Sequence, residues 1–290
     1  MSESKSTELS HEDLQKVISS IDIPTCPTFV TEAMMEAQKD EPDLNHLAKI
    51  IANDAGMSAA ALKLANSPMY RSSGAITSLR KAVDRLGTKN VVCVVVAAAL
   101  RSSISGLPSA WLEDFWRRST QLAVVAAVIA KRQFGISPDA AYTYTLFHDA
   151  AIPLMMKRFP EYDQVLEKCR DEGKLIVEAE LAFFPCSHPV VGSLLIRNWG
   201  LPPILGQAIR FHHEADAYDL PDKTLPGGAL SLIAVTHVAE HLAAEILGYS
   251  DLEVGASLYE RALDYLGIEV GELDELRTVV TAAIEEFDAN

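Results

Sequence analysis

Thr88-Lys89-Asn90-Val91-Val92-Cys93-Val94-Val95-Val96-Ala97-Ala98-Ala99-Leu100 is the stretch on which the fold class turns. Its β-branched valines suit a strand buried on both faces, where branched side chains pack well. Thr88 as a cap and the alanine-rich end suit a buried helix instead, and the helical reading is taken. Working outward, helical spacing recurs almost everywhere and strand alternation almost nowhere. A helix starts at Thr77 or Ser78 and stops at Gly87. Ile23-Pro24-Thr25-Cys26-Pro27 is a stiff extended lead-in to a helix over 29–39. Glu41-Pro42-Asp43 opens a helix with Leu44, Leu47, Ile50 and Ile51 on one face. Gly56 is expected to close that helix in a left-handed turn, with Ser58 capping the next.

Later, helices are predicted over 111–134, 161–172, 188–198, 203–213, 230–247, 252–266 and 273–287, with a short amphipathic one over 10–20. Ser137-Pro138-Asp139 starts another, through a capping hydroxyl, proline at the first position and a carboxylate at the positive end. It is expected to carry His148-Asp149 and to kink near Pro153. The fold class is therefore all-α. Ser105-Gly106-Leu107-Pro108 is read as a linker. The predicted organisation is a polar tail over 1–20, an amino-terminal helical subdomain over 21–105, a larger helical subdomain over 106–250 and carboxy-terminal helices over 251–290.

With 290 residues, 49% of them apolar, the chain has ample material for a core. Lys and Arg number 25 against 40 Asp and Glu, a net charge of −15. Nucleic-acid binding runs on cationic side chains releasing counterions, so neither nucleic acid nor an anionic membrane is an expected partner. The longest apolar run, Val91 to Leu100, is too short to span a bilayer. Cys26, Cys93, Cys169 and Cys186 form no C-x-x-C pair and read as reduced thiols of a cytoplasmic protein.

The histidines carry the chemistry. His148-Asp149, His188 and His212-His213 are suitable ligands for Zn, Fe or Mn. The bland alternative makes His148 and His212 partners of backbone carbonyls and places His213 on the surface. His237-Val-Ala-Glu240-His241 matches H-x-x-E-H, though a partly exposed helix face explains it as well. Leu47 to Leu64 has helix-turn-helix spacing, but the second helix offers only Lys63 and Asn66 to DNA, which favours packing. Cys186 near His188 reads as a buried thiol, and Trp111, Trp116 and Trp199 as core.

Taken in order, several of these stretches resemble the HDOD domain, the HD-related output domain of bacterial signalling proteins. They are Ile23-Pro24-x-x-Pro27, Ile50-Ile51-Ala52-Asn53-Asp54, Leu64-Ala65-Asn66-Ser67-Pro68-Met69-Tyr70 and Ile76-Thr77-Ser78-Leu79 with Leu86-Gly87. Phe115-Trp116-Arg117-Arg118-Ser119, Leu146-Phe147-His148-Asp149, Glu180 before His188-Pro-Val-Val-Gly192, Trp199-Gly200-Leu201-Pro202 and Ala208-Ile209-Arg210-Phe211-His212-His213 follow. The resemblance implies an HD-like helical bundle with a smaller amino-terminal subdomain, related to the HD metal-dependent phosphohydrolases. It implies His148, Asp149, His188, His212 and His213 as the metal positions.

Three departures point to a degenerate site. Arg118 stands where the hydrolases have their first His, and a guanidinium cannot coordinate a cation, so it is expected to fork onto Asp149. Ala151-Ile152 replaces the Gly-Lys that follows the His-Asp-Ile of hydrolases, and Glu240 stands where Asp is usual. No Gly-Tyr-Pro motif is present. The expectation is a non-catalytic signalling module that binds a protein partner or small ligand and has no required cofactor, with a homodimer as one option. The alternative is a metal-dependent phosphohydrolase acting on a nucleotide or cyclic dinucleotide. There Asp149 would bridge metals and Arg118 would hold a substrate phosphate.

Overall fold

In the computed structural model, which describes residues 19–67, 69–70, 74–248 and 254–289, the valine-rich run is helical. It forms the second half of α4 (Leu79–Ser103), preceded by α1 (Thr28–Ala37), α2 (Leu44–Ala52) and α3 (Ala55–Ala65). Gly87 breaks α4 with φ 69° and ψ 172°, a conformation open to glycine alone at little cost. The two halves then take different directions; Val91, Val94, Val95 and Val96 are buried, and the helix as a whole packs on α1, α2 and α3. No strand occurs among the described residues.

Asp43 caps α2 by accepting from the Asn45 and His46 amides, as the Glu41-Pro42-Asp43 signal implies. The expected turn at Gly56 is absent. Asp54 accepts from the Met57 amide at 2.7 Å and starts α3 four residues before the expected cap at Ser58, so Gly56 lies inside the helix. A carboxylate cap facing the positive helix end outcompeted the glycine stop. On α3, Lys63 lies over the Phe287 ring at 4.1 Å and Asn66 binds Leu62 and Ile76 backbone, so both side chains offered to DNA are engaged within the fold.

The loop 104–108 leads into α5 (Ser109–Ala130), and α6 (Pro138–Phe147) returns antiparallel to it, started by Ser137. Helix α6 does not continue through Pro153. It ends at Phe147, and residues 148–151 turn into α7 (Ile152–Arg158), with Pro153 in its first turn. Proline without an amide hydrogen is tolerated at a helix start and costly inside one. Next come α8 (Tyr162–Glu172), α9 (Ile176–Phe183), α10 (His188–Asn198) and α11 (Pro203–Phe211). Sequence reading gave no helix for α9.

Helix α12 (Gly227–Leu247) runs through the bundle, against α5, α6, α11 and α13 (Gly255–Leu266). By length and composition it would cross a membrane, but 72% of its apolar window is buried inside the bundle. Helix α14 (Leu273–Ala289) closes the chain and buries Leu273, Leu276, Val280, Ile284 and Phe287 toward α5 and α12, the stripe expected from its spacing. One apolar cluster extends through both halves of the chain. The helix expected over 10–20 and the start of the one expected at Leu252 lie largely outside the described residues.

Candidate metal centre

The turn at 148–151 projects two side chains into the bundle from one point. His148 is buried, and its Nδ1–H donates to the Thr145 carbonyl at 2.6 Å. Nε2 then faces two carboxylates, Glu240 Oε1 at 2.7 Å and Asp149 Oδ2 at 3.0 Å. Acceptors at both ring nitrogens require the imidazolium form. Burial alone would push the imidazole down, but Asp149 and then Glu240 outweigh it and hold His148 well above its usual range.

The other carboxylate oxygen of Asp149 points the opposite way. Oδ1 lies 3.2 Å from His188 Nε2 and 3.5 Å from His212 Nε2, without a hydrogen bond of good geometry. His188 begins α10 and is fully buried; its Nδ1–H donates to Glu180 Oε2 at 2.9 Å. Glu180, on α9, is itself fully buried and also accepts from the His188 amide at 2.9 Å and the Tyr162 hydroxyl at 2.5 Å. His212 caps α11, and its Nδ1–H donates to the Ile209 carbonyl at 2.6 Å, which leaves Nε2 with a lone pair. The rings of His212 and His213 lie 4.0 Å apart.

Asp149, His188, His212 and His213 thus offer one carboxylate oxygen and three imidazole nitrogens within 4.8 Å of one another. Nitrogen and oxygen donors in this mixture suit Zn, Fe or Mn. The outer nitrogens of His188 and His212 are fixed by a carboxylate and a carbonyl, as metal-bound imidazoles usually are. Burial lowers His212 to about 4, so it presents a neutral ring at ordinary pH. Burial, then His212 and His188, push His213 well below its usual range. Burial would also lower His188, but Glu180 and Asp149 outweigh it and raise it to about 10. With the buried oxygen of Asp149 in their midst, these four residues fit a divalent ion. His148, Asp149 and Glu240 form a second group of three, in which both carboxylates already pair with His148 Nε2.

The expected fork of Arg118 onto Asp149 does not form. Arg118 Nε and Nη2 both donate to Asp114 Oδ2, at 2.8 and 2.6 Å, one helical turn back on α5, and the side chain is 63% exposed. A partner at i−4 on the same helix is available before any tertiary contact forms, and solvent keeps the cation hydrated. Arg118 instead stands at the rim of a cleft of about 540 Å³. Trp111, which stacks on Phe115 at 5.3 Å, lines that cleft and is not wholly core; Arg170 also lines it. His148, Asp149 and Glu240 line it as well, whereas His188, His212 and His213 do not.

The H-x-x-E-H residues separate. Glu240 joins His148, His241 stacks on Tyr259 at 3.7 Å, and His237, 1% exposed, donates from Nε2 to the His212 carbonyl at 2.7 Å. His237 and Glu240 are therefore buried, more than the expected partly exposed face, while His241 stays half-buried. His213 is likewise no surface residue, since both its ring nitrogens are buried. Cys186 is buried, which pushes its thiol up to about 11. Glu180 was visible in the sequence only as a spacing before His188; its role under that imidazole needed the turn between α9 and α10.

Comparison with known proteins agrees with this geometry. The HDOD domain model matches residues 23–215. The crystal structure of an HDOD domain protein of unknown function from Geobacter sulfurreducens is 26% identical with a TM-score of 0.67, over 94% of this chain and 96% of that one. A candidate signal transduction protein from Marinobacter aquaeolei VT8 is 19% identical with a TM-score of 0.69, over 96% of this chain and 65% of that one. A candidate phosphohydrolase from Shewanella amazonensis SB2B is 20% identical with a TM-score of 0.68, over 95% and 97%. The match to an uncharacterised Treponema pallidum protein, 21% identical, spans 38% of that relative's length. An all-helical bundle, the Ile23-Pro24 to His213 succession of markers and the buried His-Asp cluster have one common explanation: the chain belongs to the HDOD domain family.

Proposed function

We propose that the chain is a non-catalytic regulatory module of bacterial signalling. Asp149, His188, His212 and His213 would hold one divalent ion that stabilises the bundle, and the adjoining cleft would receive a small ligand or a segment of a signalling partner. One observation carries this reading: cleft and four-residue set share only Asp149. A hydrolytic metal needs an open coordination position facing its substrate. None of the three imidazoles lines the cleft, and among the donors that do, Asp149 and Glu240 each already place one oxygen on His148. Arg118 no longer argues against a cation, because it does not reach the cluster; the argument against turnover rests on this separation.

When bound, the ion would polarise its ligands and take the place of the proton on His188 Nε2. The chain's residues would orient it: Glu180 turns His188, and the Ile209 carbonyl turns His212. Metal-dependent phosphoester hydrolysis remains the competing reading, favoured by one fact, that Asp149 presents an oxygen to each group. Elemental analysis of protein purified without a metal-affinity tag, with assays on bis(p-nitrophenyl) phosphate and cyclic dinucleotides, separates them. About one Fe, Mn or Zn per chain without turnover is expected. Hydrolysis that disappears in Asp149→Ala would overturn the proposal, as would protein that takes up no divalent metal.

A further inference from the structure

The segment after α11 carries His212 and His213, and it is held from the carboxy-terminal side by a chain of contacts. His237, in the middle of α12, donates from Nε2 to the His212 carbonyl at 2.7 Å. Since a carbonyl only accepts, Nε2 bears the proton and Nδ1 is the acceptor, filled by the Tyr218 hydroxyl at 2.9 Å. Arg261, on α13, packs its guanidinium over the Tyr218 ring at 5.2 Å. The same guanidinium donates to the Ala215 carbonyl at 2.9 Å and pairs with Asp219 at 2.8 Å. Three contacts from one arginine thus fix residues 215–219, and a fourth link passes through Tyr218 and His237 to His212. The Tyr218, His237 and Arg261 links lie beyond residue 215, where the family match ends.

We infer that His237 is a positioning residue for His212, and that Arg261 couples the docking of α13 to occupancy of the metal set. The inference rests on the metal reading above and goes further: the carboxy-terminal helices tune the ion's affinity. Holding a ligand's backbone and ring in place commonly changes metal affinity about ten- to hundredfold. Coupling is reciprocal, so an ion that tightens with α13 docked must in turn hold α13 down by the same factor.

Co(II) titration of the full chain tests this, because the visible bands of Co(II) report ligand geometry as well as affinity. His237→Phe is expected to weaken Co(II) binding at least about tenfold and shift its bands. His237→Gln, which keeps a donor to the His212 carbonyl, is expected to restore most of both. Should His237→Phe fail to fold, Arg261→Ala leaves the core intact and is expected to weaken Co(II) about fivefold. In wild type, Co(II) should also slow amide hydrogen exchange over residues 255–266, and in Arg261→Ala it should not. Wild-type affinity and spectrum in folded His237→Phe and Arg261→Ala overturn the coupling alone. Wild type that binds neither Co(II) nor Zn overturns the metal reading and this inference with it.

Discussion

His148 donates from both ring nitrogens, to the Thr145 carbonyl and to the Asp149–Glu240 pair, so its charge is matched by carboxylates that are themselves nearly inaccessible. Removing one partner of such a group leaves a buried charge uncompensated, at about 3–5 kcal/mol. Glu240→Ala is expected to lower the unfolding free energy by that order in urea. Glu240→Gln should cost less, because its amide oxygen still accepts from Nε2; equal losses would mean that only the carboxylate charge counts and the acceptor contributes nothing by itself. His188 gives a second, pH-resolved outcome. Its folded form is raised to about 10 from an ordinary 6.5, so its contribution is complete below pH 6.5 and fades as pH climbs toward 10. Denaturation in chelator is therefore expected to show stability falling over that window, with the slope reduced in His188→Gln. A profile unchanged by that substitution would remove His188 as its source.

Gly192 on α10 faces both α11 and the turn at 148–151 at close range. A Cβ there would stand 2.8 Å from Ile209 Cγ2 and 3.6 Å from Ala151 Cβ. Ile209 carries the carbonyl that orients His212, so this contact joins packing to the ligand set. Gly192→Ala is expected to cost about 1–3 kcal/mol through overpacking. It is also expected to weaken Zn binding measured by competition with a chromogenic chelator. Unchanged Zn affinity in a destabilised variant would confine Gly192 to packing. At this scale the sequence was legible where caps and stripes act locally, as at Asp43, Ser137 and along α14. It was less so at Gly56 and Pro153, where two local signals compete and a neighbouring cap or a tight turn settles the outcome.

Across the whole molecule, ligands from α10, the end of α11 and the turn after α6 converge, so an ion that binds them all binds the folded chain and not the unfolded one. At a free concentration about a thousand times its dissociation constant, such an ion adds about 4 kcal/mol. Urea midpoints measured with Zn and with chelator are expected to differ accordingly in wild type and to coincide in His212→Ala. Equal midpoints in wild type would remove the ion as a structural element.

By itself the sequence determined the all-helical class, the apolar faces, the break at Gly87 and which residues own metal-competent donors, because periodicity, backbone freedom and side-chain chemistry are local properties. The bonding of Glu240 to His148 across 92 positions, the support of His188 by Glu180 and the separation of the three imidazoles from the cleft lining belong to the tertiary structure. The pairing of His148 with Glu240 requires α12 to cross the turn after α6. The free energy that decides it is shared among buried apolar contacts of several helices, none of which leaves a mark at the residues concerned.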